Sequence, residues 1–250
     1  MKIITFGDYE YIPFTISSYR NLKQINRHND ITVLCLNQKT ADTIKSLEPN
    51  CNAIHYKSKL TTIGYTANEW IYSGLLQYIK LEALREYVDN YGKAFYLDSD
   101  VLLFEDIFTV IDELLNQHNL VFKLYKQLNR FNTDNLKTIV NSGTLGVKKS
   151  NDSDKMFEYF FNRIKDCPTP SGNLEEYFLT EFYDTVKTNN IVLSDKINLL
   201  NSEDKIYTMD EIKAIAPMSF HPTYPKNQYG PNRPYTKIEI AKAFNLWFYE

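Results

Sequence analysis

The chain has 250 residues, 43% hydrophobic and 24% charged, with a formal net charge of −3. That is enough apolar material for one large α/β domain, and it offers neither a basic footprint for nucleic acid nor an apolar run of membrane-spanning length. Three cysteines, Cys35, Cys51 and Cys167, are odd in number, lack metal-ligand spacing, and fit the reduced thiols of a cytoplasmic protein.

Lys2 to Phe6 reads as a first strand and is too short for the apolar core of a signal peptide. Gly7-Asp8-Tyr9 breaks it. Tyr11 to Arg27 carries Ile12, Ile16, Tyr19, Leu22 and Ile25 on one helical face. A buried strand is expected over Ile31 to Leu36, a helix over Gln38 to Leu47 ahead of Pro49, and a third strand over Cys51 to Tyr56. This alternation begins a doubly wound nucleotide-binding half. No Gly-X-Gly-X-X-Gly follows the first strand, which argues against a dinucleotide dehydrogenase. Thr61 to Thr66 is a polar loop. Asn68 to Val88 is expected as a long helix with a wide apolar face, ended by Gly92.

The segment from Lys93 to Phe104 is a short apolar run, Ala94 to Leu97, that stops at Asp98 and Asp100; a second run, Val101 to Phe104, follows at once. Open α/β sheets bind ligands beyond the carboxyl ends of their strands. If the strand continues, Asp98 and Asp100 point the same way with Ser99 opposite. Two adjacent carboxylates repel each other, and a divalent cation removes that cost; hard oxygen ligands suit Mg²⁺ or Mn²⁺. Two solvated acids before a turn are the plain alternative.

Apolar strand, Asp-Ser-Asp, apolar run and then Glu105-Asp106-Ile107 resembles the Asp-X-Asp region of the GT-A nucleotide-sugar glycosyltransferases, glycogenin-like in style. The resemblance implies an α/β, Rossmann-like fold with a mixed, mainly parallel central sheet flanked by helices. It implies a nucleoside-diphosphate sugar as donor, UDP by default, a metal held by Asp100 against the donor diphosphate with Asp98 on the metal or the ribose, and a glycan or other hydroxyl acceptor. Thr5, Phe6, Asp8 and Tyr9, just after the first strand, would meet base and ribose, although a polar turn is as good a reading. Lys80 resembles the basic residue that such enzymes carry near the donor phosphates; Ser99 would join the donor contacts. Leu97-Asp98-Ser99-Asp100 also resembles the first motif of haloacid-dehalogenase phosphatases, where the first Asp is a nucleophile. That motif sits on a first strand with Thr or Val two residues after its second Asp; here it lies mid-chain with Leu102 in that place.

Ile107 to Leu115 is expected as a helix, Leu120 to Leu124 as a strand, and Gln127 to Leu136 as an Asn-rich loop over the site. Asn141-Ser142-Gly143 then opens an apolar strand, and glycine there permits close approach to a ligand. It resembles the family's Asn-X-Gly segment, whose amide and backbone groups hold the sugar; a plain turn is the alternative. Asn151 or Ser153 caps a helix to about Lys165. Cys167 to Gly172 is a Pro/Gly loop, and Asn173 to Thr188 a helix opening with Glu175-Glu176. Acids in a first turn suit the helix dipole; the resemblance makes Glu175 or Glu176 the acceptor-side carboxylate, needed as a base only if the reaction inverts configuration. Ile191 to Leu193 is a short strand and Asn198 to Asp210 polar and exposed. His221 resembles the family's third metal ligand and Lys226 its diphosphate lysine, although the glycine-containing spacer and the Pro-Trp after the lysine are missing. Thr236 to Phe248 is a terminal amphipathic helix.

One domain over residues 1–250 is expected, with a nucleotide-binding half at 1–104, a sugar and acceptor half at 105–235 and the terminal helix beyond. A module that binds nucleotide or glycan without turnover fits the same residues. Oligomeric state is not legible.

Overall fold

The first strands lack polar alternation because both of their faces are covered. In the computed structural model, which describes residues 1–7, 11–59, 75–129, 132–165, 174–185, 189–202, 205–222 and 236–249, β1 (Lys2–Gly7) and β2 (Ile31–Cys35) are buried almost throughout. They run parallel, Ile3 beside Ile31 and Gly7 beside Cys35. β3 (Ala53–His55) extends that edge in parallel, and β4 (Lys93–Leu97) lies parallel on the other side of β1.

Helices fill both faces. α1 (Ile12–Gln24), α2 (Gln38–Leu47) and α4 (Ile107–Gln117) pack Ile16, Tyr19, Ile44 and Ile111 against Ile3, Val33 and Phe95. On the opposite face α3 (Leu75–Tyr91), α5 (Asn151–Lys165) and α6 (Leu174–Thr185) pack Ile79, Leu84, Phe157 and Phe182 against Ile4, Leu34 and Tyr96. Burying such side chains contributes about 1.5–3 kcal/mol apiece. Asn37 caps α2 by accepting from the Thr40 amide, and Asp106 caps α4 by accepting from the Phe108 amide. The cap of α5 is Ser150, whose hydroxyl accepts from the Ser153 amide, rather than Asn151 or Ser153.

Three further strands complete a seven-stranded sheet in the order β3-β2-β1-β4-β7-β6-β8, with β6 at Leu120–Asn129, β7 at Asn132–Lys148 and β8 at Asn190–Val192. β7 is antiparallel to β4 and β6, and the other pairings are parallel. This is the mixed, mainly parallel sheet that the sequence resemblance implies.

Several expectations fail here. The expected loop from Gln127 to Leu136 is the end of a hairpin: Gln127 pairs with Lys137 and Leu128 with Leu136. Its backbone ladder, rather than apolar periodicity, makes it strand. Asn141-Ser142-Gly143 lies inside β7 instead of opening a strand. The segment expected to be polar and exposed from Asn198 begins with a buried strand, β9 (Asn198–Leu200). Its polar side chain is satisfied internally: Asn198 Nδ2 donates to Thr144 Oγ1 at 2.8 Å, and Ser219 Oγ donates to Asn198 Oδ1 at 3.1 Å. Thr208 and Glu211 form a capping box for α7 (Met209–Ile215), a helix the sequence reading omitted.

The second apolar run belongs to a separate small sheet. β5 (Leu102–Leu103) pairs antiparallel with β10 (Ser219–His221), which lies parallel to β9. The terminal helix, α8 (Lys237–Ala243), is shorter than expected, because Asn245 turns left-handed at φ 57° and the chain continues as an arm. That arm lies on α1. Ser17 Oγ donates to the Leu246 carbonyl at 2.8 Å and accepts from the Phe248 amide at 2.9 Å. Phe14 meets Trp247 edge-on, and Arg20 donates to the Phe248 carbonyl. Among the described residues no helix is long and apolar enough to cross a membrane.

Ser17→Ala deprives both of those arm groups of their partner and should lower stability by about 2 kcal/mol. A urea midpoint equal to that of the unaltered chain would show that Ser17 does not anchor the arm.

Candidate functional site

The strand β4 ends at Leu97, and the next residues form a turn: the Val101 amide donates to the Asp98 carbonyl at 3.1 Å. Strand alternation therefore does not bring Asp98 and Asp100 together; the turn does. It also redirects the chain from the main sheet into β5, whose partner β10 carries His221. His221 Nε2 lies 3.3 Å from Asp100 Oδ1 and 3.7 Å from Asp98 Oδ2. One ligand atom from each of Asp98, Asp100 and His221 falls within 4.8 Å of the others.

Gly143 makes the convergence possible. The Asp98 amide donates to its carbonyl at 2.8 Å, which joins the end of β4 to β7. A Cβ on Gly143 would sit 2.4 Å from Asp98 Oδ2 and 2.4 Å from His221 Cε1. The β6–β7 register shifts at this level: Phe122 faces Leu145 but Lys123 faces Asn141, so residues 142–144 have no partner on β6 while Thr144 stays paired with Leu97 on β4.

Next to this trio stands a buried polar network. Lys80, 5% exposed on α3, donates to Ser142 Oγ at 2.8 Å. Its Nζ is 3.6 Å from Glu175 Oε1, 4.0 Å from Asp98 Oδ1 and 4.7 Å from the centre of the Tyr96 ring. Ser142 Oγ donates to Glu175 Oε1 at 2.8 Å. Glu176 accepts from the Tyr125 hydroxyl, from Asn141 Nδ2 at 3.2 Å and from the Ser142 amide at 3.0 Å. The two glutamates, equivalent in sequence, are thus unlike in place. Glu176 is fully engaged, whereas Glu175 Oε2 has no hydrogen-bond partner.

Burial, the largest influence, raises the Glu175 carboxyl to about 7; Lys80 opposes the shift and Glu176 adds to it. Burial also raises Glu176, against the hydrogen bonds from Tyr125 and Ser142. Burial pushes the Tyr96 hydroxyl well above its ordinary value, aided by Asp98, to which it donates at 2.7 Å. For Asp100, burial is outweighed by the Lys237 ammonium and by His221, and its carboxyl lies far below the usual range.

Among the described residues, four buried atoms that lack hydrogen-bond partners belong to candidate site residues: Thr5 Oγ1, Asn141 Oδ1, Glu175 Oε2 and His221 Nδ1. Buried polar groups are nearly always paired, so such a set calls for a missing partner. The donor set fits a hard divalent cation: two carboxylates and an imidazole, in a neighbourhood where four acids face two lysines.

The structure brings Asp98, Asp100, His221, Lys80, Asn141, Ser142, Gly143, Glu175 and Glu176 to one place. Thr5 and Phe6 lie on β1, two strands from β7, with Phe6 against Tyr56 and Tyr96. Ser99 lines a small cavity with Asp100, Phe14, Ser18 and Leu246, toward α1 and the arm. Asp8, Tyr9 and Lys226 lie outside the described residues. The sequence reading missed Tyr96, Tyr125 and Lys237. Tyr96 sits two residues before Asp98 and was open to inference from spacing; the other two reach the site only through tertiary folding.

A model of the nucleotide-diphospho-sugar transferase family matches residues 26–191. Among solved structures, the galactosyltransferase LgtC, in complex with donor and acceptor sugar analogs, has a TM-score of 0.60 at 15% identity, covering 98% of this chain and 95% of that one. Mouse xyloside xylosyltransferase 1 in its apo form has a TM-score of 0.59 at 11% identity, covering 89% of this chain and 97% of that one. The glycosyltransferase GlyE of Streptococcus pneumoniae TIGR4, also in its apo form, has a TM-score of 0.59 at 14% identity, covering 100% of this chain and 60% of that one. At these identities the likeness is one of fold. No curated protein sequence matches the chain. The family matched transfers sugars; it is not the phosphatase family of the alternative reading.

An acid whose pKa rises on folding favours the folded chain while neutral. The contribution of Glu175 is full below about pH 4.5 and should be lost as pH climbs through about 7, by on the order of 3 kcal/mol. Denaturant midpoints across pH 5 to 8 measure this, and Glu175→Gln should flatten much of the slope. Gly143→Ala should cost about 1–3 kcal/mol through the clash with Asp98 and His221, read from the same denaturation curves.

Proposed function

The chain belongs to the nucleotide-diphospho-sugar transferase family, and on that footing we propose that it moves a sugar from a nucleoside-diphosphate donor to a hydroxyl acceptor, with Asp98, Asp100 and His221 as ligands of a divalent cation. The observation that carries this reading is the meeting of those three side chains over Gly143, next to buried atoms without partners. Mn²⁺ or Mg²⁺ suits the oxygen-rich set. When bound, the ion would act as a Lewis acid on the departing diphosphate, whose charge grows as the bond to the sugar breaks.

The chain's own residues supply the rest. Lys80 is a buried, fixed positive charge beside Asp98 and Ser142, placed to meet donor phosphate. Glu176, itself fixed by the Tyr125 hydroxyl, holds Asn141 and the Ser142 backbone in position through two further hydrogen bonds. Asn141 Oδ1 and Glu175 Oε2 then remain to accept hydrogen bonds from sugar hydroxyls. A carboxyl raised to about 7 by burial is also basic enough to take a proton from an acceptor hydroxyl near neutral pH. Thr5 Oγ1, buried and without a partner on β1, offers one contact for the nucleoside. UDP is the leaving group and a glycan the acceptor that the family resemblance favours.

The test is a melting-point screen of nucleoside-diphosphate sugars with and without Mn²⁺, followed by assays of donor hydrolysis and transfer. At a ligand concentration a hundred times Kd, the native state gains about 2.7 kcal/mol. A UDP-sugar with Mn²⁺ should raise the midpoint, and Asp100→Ala should abolish that rise and cut turnover by about a hundredfold or more. Undiminished turnover in Asp100→Ala would sink the metal reading. Tight binding with no hydrolysis and no transfer to any acceptor would identify a binding module instead.

A further inference from the structure

Lys237 is the first residue of α8, after its cap Thr236, whose hydroxyl accepts from the Glu239 amide. A cation there sits at the positive end of its own helix, where acids are favoured. Something other than the helix must hold it, and that is Asp100: Lys237 Nζ bonds directly to Asp100 Oδ2. The ammonium also lies 6.0 Å from the centre of the Tyr11 ring. The rest of the arm is anchored without this lysine, by Ser17, by Phe14 against Trp247, by Phe104 against Phe244, and by Ile240 and Ala241 in the core. The arm's docking and its lysine's contact are therefore separable.

We propose that Lys237 is a resident counter-cation of the acid pair, and that its ammonium and a divalent ion exclude each other at Asp100. This rests on the metal site proposed above. Metal–oxygen bonds in such sites are about 2.0–2.2 Å long, so an ion on Asp100 would lie a few ångström from an ammonium held by the same carboxylate. Both are positive, and Asp100 is buried away from screening solvent. Without the ion, Lys237 neutralises Asp100 while His221 stands between the two acids. With the ion, Lys237 must leave that oxygen. Such a chain takes up metal weakly until the lysine yields its place.

The experiment titrates Mn²⁺, without nucleotide, into the whole protein and reads free Mn²⁺ by its electron paramagnetic resonance signal. Lys237→Met should bind Mn²⁺ about tenfold more tightly than the unaltered chain, and Lys237→Arg, which keeps the charge, should not. Equal or weaker binding by Lys237→Met overturns the exclusion. Binding by neither chain removes the metal site itself, and the exclusion with it, a different result from equal affinity.

Discussion

Gly143 has no side chain, and two carboxylates and an imidazole converge in the space a side chain would occupy. Its carbonyl accepts from the Asp98 amide, so the residue that makes room for the acids also fixes the end of the strand that delivers them. The main sheet supplies Asp98 through β4 and Ser142 through β7; the small sheet supplies His221 through β10. Closing the gap over Gly143 would part the sheets at the point where they share a task. A strand continued straight past Leu97 would have carried Asp100 away from His221, and the turn prevents this.

Around that point the chain keeps an uncommon amount of charge out of water. Isolated, the buried carboxylates of Asp100, Glu175 and Glu176 would be expensive, and here every acid of the cluster has its own set of donors, with Lys80 and Ser142 shared. Asp100 has Lys237 and His221, and Asp98 has the Tyr96 hydroxyl and Lys80 at the edge of contact. Glu176 has three donors, and Glu175 has Ser142 and the more distant Lys80. The least satisfied member is Glu175, whose carboxyl burial raises to about 7. One helical turn thus holds two like residues with unlike partners: Glu176 is bonded on both oxygens, and Glu175 Oε2 has no partner.

Much of this was legible in the sequence because it was encoded locally. The buried strands β1, β2 and β4 read as unbroken apolar runs since helices cover both faces, and Asp98 and Asp100 end the last of them. Lys80, Asn141, Ser142 and His221 were legible through their order along the chain, given the family resemblance. What escaped depends on partners far off in sequence. Lys237 reaches Asp100 because Ser17 and Phe14 hold the arm, and no spacing near Lys237 announces that. Asn198 looks like a surface residue until Thr144 and Ser219 are seen around it. The hairpin of β6 and β7 has no periodic sequence, because its backbone ladder carries it. What sets Glu176 apart from Glu175 is Tyr125, which comes from another element.

His221 enters on a strand flanked by β5 and β9, so its place exists only once β9 has formed. Asp98 and Asp100 leave the ribosome with β4, long before the imidazole and longer still before Lys237. A nascent chain at that stage carries two crowded acids with neither neighbour to offset them, and that corner of the sheet has reason to stay open. Assembly of the candidate site is consequently late: that corner closes only once β10 and α8 have followed β4 out.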